Sequence, residues 1–279
     1  MDGFFLVRKE KGISSNGVVQ EVKSKFNFKK VGHLGTLDPL ATGLLIIAVN
    51  KATKFSSYFL NEIKAYSAEV TLGKTSDTDD AEGNILNVTS DLPDSKKVIL
   101  SLSSFLGESL QKAPFYSALK HKGKPLYKYA REGELIEKPS RKINIMDISN
   151  ICYQEPLLEF DIVCSKGTYI RSIARDIGNL LNCGGHLSKL KRTQQGCFKI
   201  KNSNSIKDLS INHIISIESA FPQFNSINLD ESEEKIYKNG GRVDSIRGNK
   251  EISKIYSFSN KFMGLGEIND CGLKLKQLV

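Results

Sequence analysis

Two stretches of the chain alternate inward and outward positions with a period of two, which commits them to strands half-buried in a sheet. In the first, Tyr66, Ala68, Val70 and Leu72 interleave with Ala65, Ser67, Glu69 and Thr71. In the second, Leu158, Phe160, Ile162 and Cys164 interleave with Glu159, Asp161 and Val163. Beyond Lys166-Gly167 the apolar residues fall at Ile170, Ile173, Ile177 and Leu180, so the spacing predicts a helix with Tyr169 and Arg171 in its first turn. Residues 4–7 and 44–49 are short apolar runs that read as strands, and Ser14/Ser15 offer cap oxygens to a helix carrying Val18, Val19, Val22 and Phe26. Strands and helices mixed in this way give an α+β fold with a mixed sheet.

At 279 residues the chain is long enough for a large domain and a small one. The stretch 222–234, PQFNSINLDESEE, is polar and lacks clear periodicity, and reads as a linker between a first domain, 1–221, and a second, 235–279. The second is punctuated by glycines with strand-like residues between them and reads as small and β-rich.

The net charge of +9 is unevenly spread. Residues 113–142 hold eight Lys/Arg against three Glu, and residues 165–199 hold seven against Asp176 alone. Two such basic segments point to a polyanionic partner. The five cysteines are odd in number and include no Cys-x-x-Cys pair, which argues against a zinc site or a disulfide framework and for a reduced, cytoplasmic protein. The apolar run 44–49 is far short of the roughly 20 residues a membrane span needs. The acidic stretch Asp77-Thr78-Asp79-Asp80-Ala81-Glu82-Gly83 fails as a calcium loop, because Ala81 and Glu82 stand where an oxygen ligand and a glycine are required. It reads as a solvated turn. Neither a phosphate-binding glycine loop nor a nucleophile elbow is present.

What remains is one acid, Asp38, in GHLGTLDPLATGLL, 32–45. An Asp before Pro is a common turn residue, but this loop also carries His33 and spends Gly32, Gly35 and Gly43 on close backbone approach. Its extended form, VGHLGTLDPLATGLLIIAVNKATK, resembles the signature of the bacterial TruB family of tRNA pseudouridine-55 synthases. KAYSAEVTLGKTSDTDDAEG, CSKGTYIRSIARDIG and GGHLSKLKRT resemble further family segments in the same order. FYSALKHKGKPLYKYAREG is similar to the inserted segment that grips RNA, placed at 113–142, and the tail KFMGLGEINDCGLKLKQLV resembles the end of a PUA domain, here reduced.

The resemblance implies a pseudouridine synthase catalytic domain with a PUA-like C-terminal domain. The implied reaction isomerises uridine 55 in the T-loop of tRNA, with the base flipped into a pocket and no cofactor or metal required. It makes Asp38 the catalytic aspartate, Arg171 its partner and Tyr66 the ring that stacks on the base, and it places Tyr66, Tyr169, Arg171, Leu190 and Lys9 in the substrate-base pocket. His33 would fill the gap left by the base. Lys120, Lys122, Lys124, Lys128, Arg131 and Arg141 would contact the T-arm. A monomer without membrane attachment is expected. The family usually has Lys-Pro where this chain has Lys9-Glu10, which bears on Lys9. The same residues leave an alternative, a non-catalytic tRNA-binding chaperone with the same grip.

Overall fold

In the computed structural model, which describes residues 1–279, the two alternating stretches lie next to each other at the middle of a ten-stranded sheet. Eight strands follow one path: Ile215–Ser216, Gly3–Lys9, Thr42–Val49, Gly185–Gln195, Lys64–Leu72, Leu157–Cys164, Arg141–Gln154 and Gly107–Gln111. Val31–His33 and Phe198–Lys199 attach at the side. Neighbours are antiparallel except Thr42–Val49 and Gly185–Gln195, which are parallel and pair in the ladder only at Thr42–Lys191 and Gly43–Arg192. At that contact a side chain on Gly43 would meet the Arg192 carbonyl at 2.3 Å, and its φ of +99 already favours glycine.

One face of the sheet carries Tyr66, Ala68, Val70, Leu158, Phe160, Ile162, Leu187 and Leu190 in a core of 33 buried residues. The helices Ser15–Phe26, Ser95–Ser103 and Ile170–Leu180 add their apolar stripes to it. The last helix approaches the central strand so closely that a side chain on Gly178 would meet Gly185 N at 2.1 Å. No helix is long and apolar enough to cross a membrane.

The opposite face, over Gly3–Lys9 and Thr42–Val49, buries Phe4, Leu6, Leu44, Ile46 and Ala48 against Phe55, Phe59, Phe198 and Phe221. Leu265, from the C-terminal sheet, is fully buried in this same cluster. That second sheet has five strands, in the order Asn225–Asn228, Glu251–Tyr256, Phe262–Asn269, Gly272–Leu278 and Arg242–Val243. It has its own core around Tyr237, Ile255 and Leu273.

The structure corrects the expected linker at 222–234. Asn225–Asn228 is a parallel edge strand paired with Glu251–Tyr256, and Asp230 caps the helix Glu231–Lys238, its carboxylate accepting from Glu233 N at 2.8 Å. The polarity that suggested a linker reflects an edge strand and a helix that buries only Tyr237. The spacing Asp230 to Glu233 is itself a capping-box signature. Two strands have no readable pattern in the sequence. In Gly185–Gln195 the buried positions include His186, Arg192 and Gln195, so inward residues do not read as apolar. Arg141–Gln154 breaks its alternation at register shifts between Ile145 and Asp147 and between Ser149 and Cys152.

Since Leu265 belongs to a core shared by both sheets, Leu265→Ala should destabilise the whole chain by about 2–5 kcal/mol. Urea unfolding should show one transition displaced as a unit. Early loss of the small sheet alone, with the main transition unmoved, would contradict a shared core.

Candidate active site

Asp38 sits in the loop between Val31–His33 and Thr42–Val49, and that loop is fastened by charges that never reach a carboxylate. Lys9, only 1% exposed, donates from Nζ to the carbonyls of Ala41 (2.6 Å), Glu10 (2.9 Å) and Pro39 (3.2 Å). Arg192, equally buried, donates to the carbonyls of Leu44 (2.8 Å), Gly35 (3.1 Å) and Thr36 (3.4 Å). Ser15 Oγ is bonded to both Leu37 N and Leu37 O at 2.8 Å, which ties the loop to the first helix. The Asp38 carbonyl closes a turn by accepting from Ala41 N at 3.0 Å.

So held, the Asp38 carboxylate points toward Arg171, whose Nε lies 3.0 Å from Oδ2. Arg171 is the second helical residue of Ile170–Leu180, with Tyr169 as the N-cap rather than in the first turn. The Tyr169 backbone is fixed by buried Gln111, which accepts from its N–H at 2.8 Å and donates to its carbonyl at 3.1 Å. The Arg171 guanidinium also donates to Thr78 O (3.1 Å) and Tyr116 O (2.9 Å), and stands 3.6 Å from Asp80 Oδ2.

The segment 77–83 is the expected turn, with Asp77 and Glu82 exposed, but the solvated reading is corrected at Asp79 and Asp80. Asp80 is 3% exposed, accepts from Thr78 Oγ1 at 2.7 Å and Glu82 N at 3.0 Å, and stands beside the same Arg171 guanidinium as Asp38. Asp79 pairs with Arg175 at 2.8 Å. An acidic run reads as solvated until its basic partners, about 95 residues away in sequence, are brought to it.

Two cavities meet at Asp38. One, of about 350 Å³, has Tyr66, Tyr169, Ile170 and Leu190 among its walls, with Lys64, Arg171 and Arg192 as its charged lining. The other, of about 530 Å³, is lined by His33, Asp80, Glu82, Tyr116, Tyr127 and Arg131. Asp38 is the only carboxylate that lines both. Burial raises its pKa above the ordinary 3.8, and Asp80 adds to this, while Arg171 and Lys9 oppose it. Burial pushes the Tyr66 hydroxyl up to about 12, so its ring is a neutral wall. Burial and Arg192 lower His33, whose Nδ1 is buried without a partner.

The chain matches the model of the TruB family pseudouridylate synthase N-terminal domain over residues 23–170, and that of the tRNA pseudouridylate synthase B C-terminal domain over 171–220. It is 41% identical to tRNA pseudouridine synthase B of Clostridium novyi, covering 100% of both chains. With the enzyme of the same name from Francisella philomiragia the identity is 41%, covering 96% of this chain and 92% of the other. The chain belongs to the TruB family of pseudouridylate synthases. Its fold is also that of a Cbf5-Nop10-Gar1 complex, with a TM-score of 0.73 at 23% identity, covering 99% of this chain and 84% of that one.

Of the site residues expected from sequence, the TruB fold brings Asp38, Tyr66, Tyr169, Arg171 and Leu190 to one cavity. His33 and Arg131 line the adjoining one. Lys9 lines neither, and its place in the substrate-base pocket is corrected to an anchor of the loop behind Asp38. Glu10 leaves that anchor intact, because Lys9 bonds its carbonyl, which a proline would equally present. Lys120, Lys122 and Lys128 project into solvent from the 113–142 segment, with Lys122-Gly123 in the two left-handed positions of a tight hairpin. Lys124 is held by Glu132 and lies over the Tyr129 ring. Arg141, at the end of the segment where the strand Arg141–Gln154 begins, lies over Tyr169, 5.4 Å from its centroid. Asp80, Arg192, Ser15 and Gln111 escaped sequence reasoning, since each acts through a partner distant in the chain.

The raised pKa of Asp38 has a definite sign in stability. The folded chain holds this proton more tightly than the unfolded chain, so the residue's contribution is complete below 3.8 and is lost as pH rises through the folded value. Asp38→Asn has no such titration. The stability of the parent relative to this variant should therefore fall as pH rises from 3.8 through that window, as read by urea unfolding at stepped pH. A pH-independent difference would contradict it.

Proposed function

We propose that this enzyme isomerises uridine 55 in the T-loop of tRNA to pseudouridine, using Asp38 on a base flipped out of the loop. One observation carries the reading: a carboxylate fastened by its own backbone and paired to Arg171 opens onto a cavity walled by Tyr66 and Leu190. A flipped pyrimidine needs an aromatic or apolar wall of that kind, and a volume of about 350 Å³ is in the range of small-molecule pockets. In the reaction the N1–C1′ bond breaks, a C5–C1′ bond forms, the C5 proton leaves to solvent and N1 regains one. The chain supplies the anionic oxygen at the sugar and base, the stacking wall, and the Arg171 charge that keeps the carboxylate aimed.

His33, at the mouth of the second cavity, fills the stack that the base vacates and offsets part of the few kcal/mol that flipping costs. The 113–142 segment leans over that cavity through Tyr116 and Tyr127 and presents Lys120, Lys122 and Lys128 to phosphates of the T-arm. The enzyme acts in this reading as a cytoplasmic monomer.

Asp38→Asn should abolish release of tritium from C5-labelled uridine in tRNA while leaving tRNA binding largely intact. Release within about tenfold of the parent, about 1.4 kcal/mol in barrier, would remove Asp38 from the chemistry. A T-arm hairpin should itself be a substrate, since loop shape is what is read. Neutralising Lys120, Lys122, Lys124 and Lys128 together should weaken its binding and flatten the salt dependence, by about 0.7–0.9 in slope for each phosphate no longer neutralised. An unchanged slope would reduce the segment to a solvated face.

A further inference from the structure

The 350 Å³ cavity has a second charged wall, away from Asp38, that the chemistry above leaves unused. Lys64 lies two residues before Tyr66 on the same strand and hence on the same face, and it lines this cavity. Its ammonium is tethered, donating to the carbonyls of Glu62 at 2.9 Å and Leu60 at 3.2 Å. Lys166, one residue before cavity-lining Gly167, is held by Asn61 Oδ1 at 2.9 Å, beside the same turn. Arg141 lies over Tyr169, and its Nε is buried with no hydrogen-bond partner. None of these three cations, nor Arg192 behind them, has a carboxylate within 4.0 Å.

Lys64 is half-buried and Lys166 exposed, and with no protein carboxylate on either, both are open to an anion arriving from outside. In a site built for RNA, that anion is a phosphodiester. We propose that Lys64 and Lys166, with Arg141, form a phosphate subsite at the mouth of the base pocket, which takes one of the two linkages adjoining the flipped nucleotide. This rests on the RNA-isomerising reading above and adds to it a contact that pins the backbone while the base turns inward. Burial, then Arg192, lowers the Lys64 ammonium to about 8, with Cys164 and Glu62 opposing and Lys166 reinforcing. A bound phosphate favours the charged form, so the subsite weakens as pH rises past about 8.

The test is the binding of T-arm hairpins by the full chain carrying Asp38→Asn, which prevents turnover, alone or with Lys64→Met, Lys64→Arg or Lys166→Ala. Each hairpin is unmodified or carries a neutral methylphosphonate at one linkage flanking the target uridine. Lys64→Met should weaken binding of the unmodified hairpin about fivefold or more and make its salt slope shallower by about 0.7–0.9. For one of the two methylphosphonate hairpins the same substitution should cost nothing, since the charge it answered is already gone. Lys166→Ala, an exposed change that does not endanger folding, should show the same selectivity to a smaller degree. Lys64→Arg should preserve binding, and at about pH 9 should surpass the parent lysine, because arginine stays charged there.

Equal losses on all three hairpins, or an unchanged salt slope, would overturn the subsite. Turnover of the unmodified hairpin by the chain with Asp38 intact separates the two readings. Turnover without linkage selectivity removes the subsite alone, whereas neither binding nor turnover removes it together with the function it rests on.

Discussion

The loop 35–44 is held by two buried cations that bond only carbonyl oxygens, and the geometry of the site descends from that choice. Hydrogen bonds from a charged donor contribute roughly 1.5–3 kcal/mol each, against about 1 for a neutral pair. Lys9 and Arg192 between them engage five carbonyls of the loop or its continuation, and a sixth on Glu10. A carboxylate partner for either cation would have drawn it from the backbone and put a second anion behind Asp38. With the backbone as counterpart, Asp38 and Asp80 share the Arg171 side of the site between them.

The sheet delivers the other components from segments far apart in sequence. Tyr66, Ile162 and Arg192 stand in register on three adjacent strands, so the Tyr66 ring that walls the cavity and the loop anchor are aligned by the ladder itself. The helix that follows the Leu157–Cys164 strand returns over the same face and places Arg171 beside the loop. Tyr116 joins the 113–142 segment to this centre because its carbonyl accepts from Arg171.

Where inward positions are apolar, the sequence is readable. The strands around Tyr66 and Leu158 and the helix at Ile170 follow their periods. Asp38 reads from its own residues as a turn acid, and only the resemblance of its loop to the TruB signature singles it out. Reading fails where inward positions are polar. The central strand hides behind His186, Arg192 and Gln195, and Asp80 resembles a solvated acid until Arg171 is seen against it. Lys9 can be read as near the site but not as an anchor, because its acceptors are carbonyls, which carry no sequence identity. The polar 222–234 stretch passes for a tether because an edge strand and an exposed helix need few apolar residues.

Leu265 has a consequence that reaches past stability. A small domain on a flexible tether would meet a second part of any bound molecule only at an effective concentration set by the tether, often in the millimolar range. Here its leucine is fully buried in one apolar cluster with Phe4, Leu44, Phe55 and Phe59 of the larger body, and Tyr256 Oη donates to Glu218 at 2.8 Å across the seam. The two bodies are thus preorganised like the jaws of a fixed-gap caliper, and the entropy of aligning them is spent during folding. A ligand long enough to span both gains the second contact almost free of that cost, and one with the wrong span gains nothing.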